Sequence, residues 1–130
     1  MRILVCGGRH YSDHRTAFAK LDEIDQRESV SIVIEGGAAG ADNLAHRWAI
    51  MRAKGHLRFF ADWERNGHAA GPIRNQKMID EGRPRLVVAF PGGRGTADMV
   101  RRAKAKGIEV IEVTAPPAPA IDDGPADGER

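Results

Sequence analysis

Short apolar runs alternate with helix-forming segments along the sequence, and glycine-rich turns follow the first, second and fourth of those runs. The pattern predicts an α/β fold, because strands that alternate with helices build a mostly parallel sheet whose crossover helices cover both faces. The 130 residues, 42% hydrophobic and 29% charged, suit one such domain with a single modest core. Five strands are expected, in a Rossmann-like three-layer arrangement. With the strand order 3-2-1-4-5, the glycine turns fall on neighbouring strands at the carboxyl edge, around the point where the order reverses. Open α/β sheets bind their ligands there.

The first strand is Arg2–Cys6, a run of β-formers, and GGRHYSD at 7–13 turns the chain into a helix over about residues 13–26. Ser12 or Asp13 is its N-cap. Phe18, Leu21 and Ile24 recur at spacings of three and belong to the core rather than to a site. Residues 30–35 form the second strand, and GGAAGAD at 36–42 leads into a helix striped by Leu44, Ala45, Trp48 and Met51. A third strand spans about 56–60. Residues 61–71, with Trp63, Asn66, Gly67 and His68, read as a polar connection that serves either as an active-site loop or as a plain crossover. Pro72 opens the next helix, which carries Ile73, Lys77, Met78 and Ile79 and stops at Gly82 and Pro84. The fourth strand is 86–90, followed by the turn at 91–98, a helix over about 97–106 and a last strand at 108–113.

Formal charge is +2, but residues 114–130 hold four acids against one arginine, so residues 1–113 carry 19 basic and 14 acidic side chains. Four of the seven prolines also crowd that end, which is expected to be a disordered tail behind a domain spanning residues 1–113. The basic body suits an anionic small molecule. An extended nucleic-acid footprint calls for clustered Lys and Arg with stacking aromatics, and aromatics are 5% here, so nucleic acid is not the expected partner. Arg101, Arg102, Lys104 and Lys106 read as a solvated helix face. The single Cys6 closes an apolar run and has no disulfide partner, which points to a reducing, cytoplasmic setting. No apolar run is long enough for a signal peptide or a membrane span.

The chemistry concentrates in the turn Pro91-Gly92-Gly93-Arg94-Gly95-Thr96-Ala97-Asp98. Glycines at 92, 93 and 95 permit positive φ and remove side chains that would hold a ligand off the backbone, so amides can converge on a phosphate. The following helix adds its unpaired N–H groups and dipole, and Thr96 a hydroxyl. The companion loops contribute Gly7, Gly8 and Arg9 after the first strand and Gly36, Gly37 and Gly40 after the second. One glycine turn alone is as well explained by tight turning as by binding; three at one edge favour a ligand site. No loop ends in the Gly-Lys-Ser/Thr of a nucleoside-triphosphate P-loop, and the turn at 93–98 lacks the last glycine of the dinucleotide fingerprint. Asp13, Asp42 and Asp98 lie near helix starts. Capping is the first assignment for Asp13, whereas Asp42 and Asp98 suit a ribose hydroxyl or a water. Arg74 and Asn75 are placed to close over the anion, Arg74 with a bidentate fork. No metal or cofactor is assigned.

Four segments resemble one family: GGRHYSD at 7–13, GGAAGAD at 36–42, GPIRNQKM at 71–78 and FPGGRGTAD at 90–98 are similar to the YspA-like, cpYpsA-related branch of the SLOG superfamily. The resemblance extends to about Val113. It implies a Rossmann-like fold and a nucleotide or nucleotide-derived ligand at the glycine loops. The superfamily includes the LOG-type phosphoribohydrolases and the DNA-processing protein DprA. In LOG enzymes an arginine followed four residues later by methionine, together with the glutamate of PGGxGTxxE, serves N-glycosidic cleavage. Arg74 and Met78 match the first pattern, but Met99 stands where the glutamate belongs. A thioether neither steadies an oxocarbenium-like sugar nor activates water. The resemblance therefore leaves an N-glycosidic hydrolase, with Arg74, Asp98 and Asp42 as catalytic candidates, beside a non-catalytic sensor of the same ligand. A DprA-like DNA-binding module is a third reading. LOG relatives associate as dimers through helices, and the stripe of Leu44, Trp48 and Met51 suits either a homodimer face or sheet packing.

Overall fold

The computed structural model describes residues 1–114; apart from Thr114, the expected tail at 114–130 lies outside the described residues. In chain order the elements are β1 (Arg2–Cys6), α1 (His14–Arg27), β2 (Ile32–Glu35), α2 (Ala41–Met51), β3 (Gly55–Arg58), α3 (Trp63–Asn66), α4 (Ala70–Gly82), β4 (Leu86–Ala89), α5 (Arg94–Ala105) and β5 (Glu109–Glu112). All neighbouring strands pair in parallel in the order β3-β2-β1-β4-β5. This is the expected Rossmann-like sheet, with β1 at its centre.

Alternation along the central strands divides the core into two layers. Ile3, Val5, Val33, Leu86 and Val88 face α1 and α2, where they meet Phe18, Leu21, Ile24, Leu44 and Trp48. Leu4, Cys6, Ile34, Val87 and Ala89 face α4 and α5, against Met78, Ile79, Met99 and Ala103. Both faces of β1 and β4 are covered, which is why those strands are continuously apolar, each large aliphatic side chain contributing about 1.5–3 kcal/mol on burial. The edge strand β5 (EVIE) instead ends in exposed Glu109 and Glu112, which discourage further strand pairing.

Helix ends follow local chemistry. The Asp13 carboxylate accepts from the Thr16 amide at 3.1 Å and the Thr16 hydroxyl at 2.6 Å, confirming Asp13 as the N-cap. Trp48 is 0% exposed, and its Nε1–H donates to Asp22 on α1 at 2.9 Å, while Arg52 donates to both oxygens of the same carboxylate. Leu44 and Trp48 thus pack on the sheet and on α1, and only Met51 of the stripe is exposed. The polar connection at 61–71 is more ordered than a loop: it holds α3, a 3₁₀ turn at Gly67–Ala69 and the start of α4. α5 begins at Arg94, three residues before the expected 97, so Gly95 and Thr96 belong to the first helical turn. No helix among the described residues is long and apolar enough to cross a membrane.

Candidate functional site

The sheet order brings the loops after β2, β1 and β4 together at the carboxyl edge, and their glycines let the backbones touch. The Gly8 amide donates to the Pro91 carbonyl at 2.9 Å, and the Gly8 carbonyl accepts from the Ala41 amide at 3.1 Å. A Cβ on Gly8 would lie 3.0 Å from the Pro91 oxygen, and one on Gly7 2.6 Å from the Ala41 side chain. Gly40, at φ +75°, lies against the Gly8 carbonyl and the backbone of Arg9, so both its conformation and its surroundings require glycine. Arg9 itself is exposed. Tyr11 stacks on Phe90 at 5.3 Å and braces the first loop against the fourth.

The turn at 91–96 divides in two. Gly92 packs between the Thr96 side chain and the Gly8 amide, whereas a Cβ on Gly93 or Gly95 would meet no atom within 4 Å. None of the three adopts positive φ, contrary to the expectation from sequence; Gly92 is required by its close packing rather than by a left-handed backbone, and Gly93 and Gly95 are required by neither. Ala97 is the first amide of α5 with a backbone acceptor, the Gly93 carbonyl at 3.0 Å, and Gly93 as N-cap offers no side chain. Among the described residues the amides of Arg94, Gly95 and Thr96 therefore have no partner. Unpaired donors at the positive end of a helix are suited to an anion. An open cleft of about 540 Å³ runs from this turn toward β5, between Pro91, Ala97, Val100, Lys104 and Val113.

A second group of candidates sits one loop over. The Arg74 Nη1 donates to the Gly36 carbonyl at 2.7 Å and lies so close to Gly36 that a Cβ there would strike the guanidinium. Asp42 caps the same loop, its Oδ2 accepting from the Gly36 and Ala38 amides at 3.2 Å each. Burial pushes the Asp42 carboxyl up to about 6, with nearby Glu35 adding to the rise, while Arg74 and the two amides oppose it. Burial in turn lowers the Arg74 pKa. Asn75 joins the two groups: its Oδ1 accepts from Arg74 Nε at 3.1 Å, and its Nδ2 donates to the Gly95 carbonyl at 3.2 Å and to Asp98 at 3.0 Å.

The loops, the sheet order and the unpaired helix start converge with three comparisons to known proteins. The model of the YspA, cpYpsA-related SLOG family matches residues 1–66, which include the first two glycine loops. The Gene 61 protein of Mycobacterium phage D29 is 40% identical over 121 residues, covering 85% of this chain and 94% of the phage protein. This chain belongs to the YspA, cpYpsA-related SLOG family. Among solved structures, DNA processing protein A (DprA) from Streptococcus pneumoniae superposes with a TM-score of 0.69 at 18% identity, over 95% of this chain. That likeness is one of fold, and this SLOG chain spans about half (53%) of the DprA chain.

In this SLOG domain the position of the LOG glutamate is closed to chemistry: Met99 is 0% exposed and packs with Leu4, Cys6 and Met78. Asp98 lies in the second turn of α5 and faces the α4–α5 seam rather than the turn at 91–96. Arg102 donates to it at 2.8 Å, Arg101 pairs with it, and Asn75 bonds it from α4. Burial alone would raise its pKa, but these hydrogen bonds and charges together hold it below the ordinary carboxylate range. Arg101, Lys104 and Lys106 lie on the exposed face expected of them, whereas Arg102 is drawn half-buried onto Asp98. Cys6 is equally remote from chemistry, its thiol pushed up to about 12 by burial. Among the described residues no His, Cys, Asp and Glu side chains cluster to hold a metal.

The sequence reading passed over three residues that shape the edge. Glu35 is 0% exposed at the end of β2, accepts from the Gly37 amide at 2.6 Å and pairs with Arg58 of β3. An acid closing an otherwise apolar strand, directly before Gly36-Gly37, was the available signal. Arg58 in turn lies over the ring of Phe60, 5.7 Å from its centroid, and the ring rests on Gly37.

Proposed function

We propose that this SLOG domain binds a nucleotide-derived small molecule by its phosphate at the start of α5. The carrying observation is the set of three unpartnered amides at Arg94, Gly95 and Thr96, beside two glycines that no neighbouring atom requires. By contrast α1 is capped by Asp13, and the first amide of α2 is taken by Gly8. Pro91, Gly92, Gly93, Gly95 and Thr96 hold the phosphate. Gly7, Gly8, Arg9, Gly36, Gly37 and Gly40 form the floor, and Arg74 with Asn75 meets the sugar from α4. The inert, reduced Cys6 suits a cytoplasmic setting. With Met99 buried and Asp98 engaged in ion pairs, the reading is one of binding, as in a sensor.

Hydrolysis of an N-glycosidic bond is the second reading, and one observation favours it: Asp42 sits beside Arg74 with its pKa raised to about 6, close to where a general acid or base works best. Titration calorimetry with ribose 5-phosphate, nucleoside 5′-monophosphates and unphosphorylated nucleosides tests the binding reading. Saturable, phosphate-dependent binding is expected. Equal affinity for phosphorylated and unphosphorylated compounds would overturn it. Release of free base on incubation with a monophosphate, lost in Asp42→Asn, would move the assignment to the hydrolase.

A further inference from the structure

The geometry points to a nucleobase subsite on the free face of Phe60, and this inference rests on the phosphate reading above. Phe60 follows β3 at the same carboxyl edge and is 70% exposed, although aromatics make up only 5% of the sequence. The ring is fixed rather than loose. One edge bears on Gly37, where φ of +73° and the closeness of the ring both exclude a side chain, and the guanidinium of Arg58 covers it at 5.7 Å. Arg58 is itself held by the fully buried Glu35, whose other oxygen accepts from the Gly37 amide. A single buried carboxylate thus fixes both supports of an exposed aromatic plane. Planes of this kind stack bases, because every base presents a π-face and a rigid ring loses little freedom on binding.

Spacing commits the subsite to the base of the same ligand. The ring lies against the loop after β2, and β2 is two strand spacings from β4, about 10 Å along the edge. A ribose bridges a gap of that order between a 5′-phosphate at α5 and its base. Arg74 and Asn75 span that gap: the Arg74 guanidinium donates to the Gly36 carbonyl, next to the residue that supports the ring, and Asn75 donates to the Gly95 carbonyl at the start of α5, which sets the pair beside the sugar of such a ligand. The cleft toward β5 runs in the opposite direction and offers no exposed ring, since Phe90 is buried. The occupant we assign is a nucleoside 5′-monophosphate or a derivative of one.

The test titrates the full chain, its Phe60→Ala and its Phe60→Trp variants with adenosine, guanosine, cytidine and uridine 5′-monophosphates and with ribose 5-phosphate. Phe60→Ala is expected to weaken at least one nucleotide by about tenfold to a hundredfold, to change ribose 5-phosphate less than twofold, and to be rescued by Phe60→Trp. The ring is exposed and outside the core, so the variant keeps the fold, and circular dichroism checks this. Nucleotide binding that is indifferent to Phe60→Ala would overturn the subsite and leave the phosphate reading standing. An equal loss for ribose 5-phosphate would make Phe60 a structural residue and also overturn it. Failure of the native chain to bind any of these compounds would sink both readings. Phe60-dependent binding of single-stranded oligonucleotides without binding of monophosphates would replace the small ligand by nucleic acid.

Discussion

Gly95 occupies the second position of α5, has an ordinary helical backbone and has open space where a Cβ would stand. Glycine there lowers helix stability relative to alanine, so a role outside the fold is the economical reason for it. Gly95→Ala is expected to stabilise the domain by about 0.5 kcal/mol, raising Tm by about 2–3 °C, while weakening ribose 5-phosphate binding at least about tenfold. Calorimetric melting and titration of one preparation check both halves. A variant that melts higher and binds unchanged would remove Gly95 from the site. The residue types at the turn were legible in the sequence; their use was not. Whether a glycine serves φ, packing or a ligand depends on neighbours distant in sequence, as Gly40 against Gly8 and Gly36 against Arg74 make plain.

At the scale of elements, the α4–α5 seam explains the least expected placement. Asp98 turns away from the glycine turn at 91–96 because Arg102, one helical turn on, and Asn75, on the facing helix, both reach its carboxylate. Asp98→Asn should cost about 1–2 kcal/mol, measured by urea denaturation, because it removes the charge from these hydrogen bonds. Ligand affinity should stay within twofold, since the variant leaves the α5 amides alone. A tenfold loss of affinity with unchanged stability would return Asp98 to the site. The strands, the four longer helices and the Asp13 cap were readable from periodicity and capping chemistry, whereas α3 was read as part of a polar connection. The start of α5 was not readable, because its N-cap, Gly93, has no capping side chain to mark a beginning.

For the whole molecule, Asp42 and the surface carboxylates act in opposite directions on stability. The folded pKa of Asp42 lies near 6 against an ordinary 3.8, so between those values the folded protein holds a proton that the unfolded chain releases. Its contribution is present in full below about pH 4 and is lost as the pH rises through 6. Asp22 and Asp25 are held below the ordinary range, the first chiefly by the Arg52 hydrogen bond and the second by the Val30 amide and Lys54. Their contribution is present above about pH 4 and is lost in acid. Asp42→Asn should therefore gain stability over the native chain as the pH rises from 4 to 7, by up to about 3 kcal/mol. Denaturant titrations of both proteins at several pH values check this, and parallel curves would refute it.

Alternating period and glycine placement were enough for the sequence to determine a parallel five-stranded α/β sheet, and four short motifs carried the likeness to the SLOG family. Those properties are local or follow from the need for crossovers between parallel strands, so they can be read without knowing which residues meet, whereas the order β3-β2-β1-β4-β5 was an expectation that the tertiary structure bore out. Tertiary structure alone decided what each polar group does. It joined Glu35, Arg58 and Phe60 into one device, tied Asp98 into the α4–α5 seam, buried Met99 and left the amides of Arg94, Gly95 and Thr96 without partners. Hydrogen bonding and burial are fixed by neighbours across the fold, and a carboxylate or an amide acquires its chemistry from those neighbours.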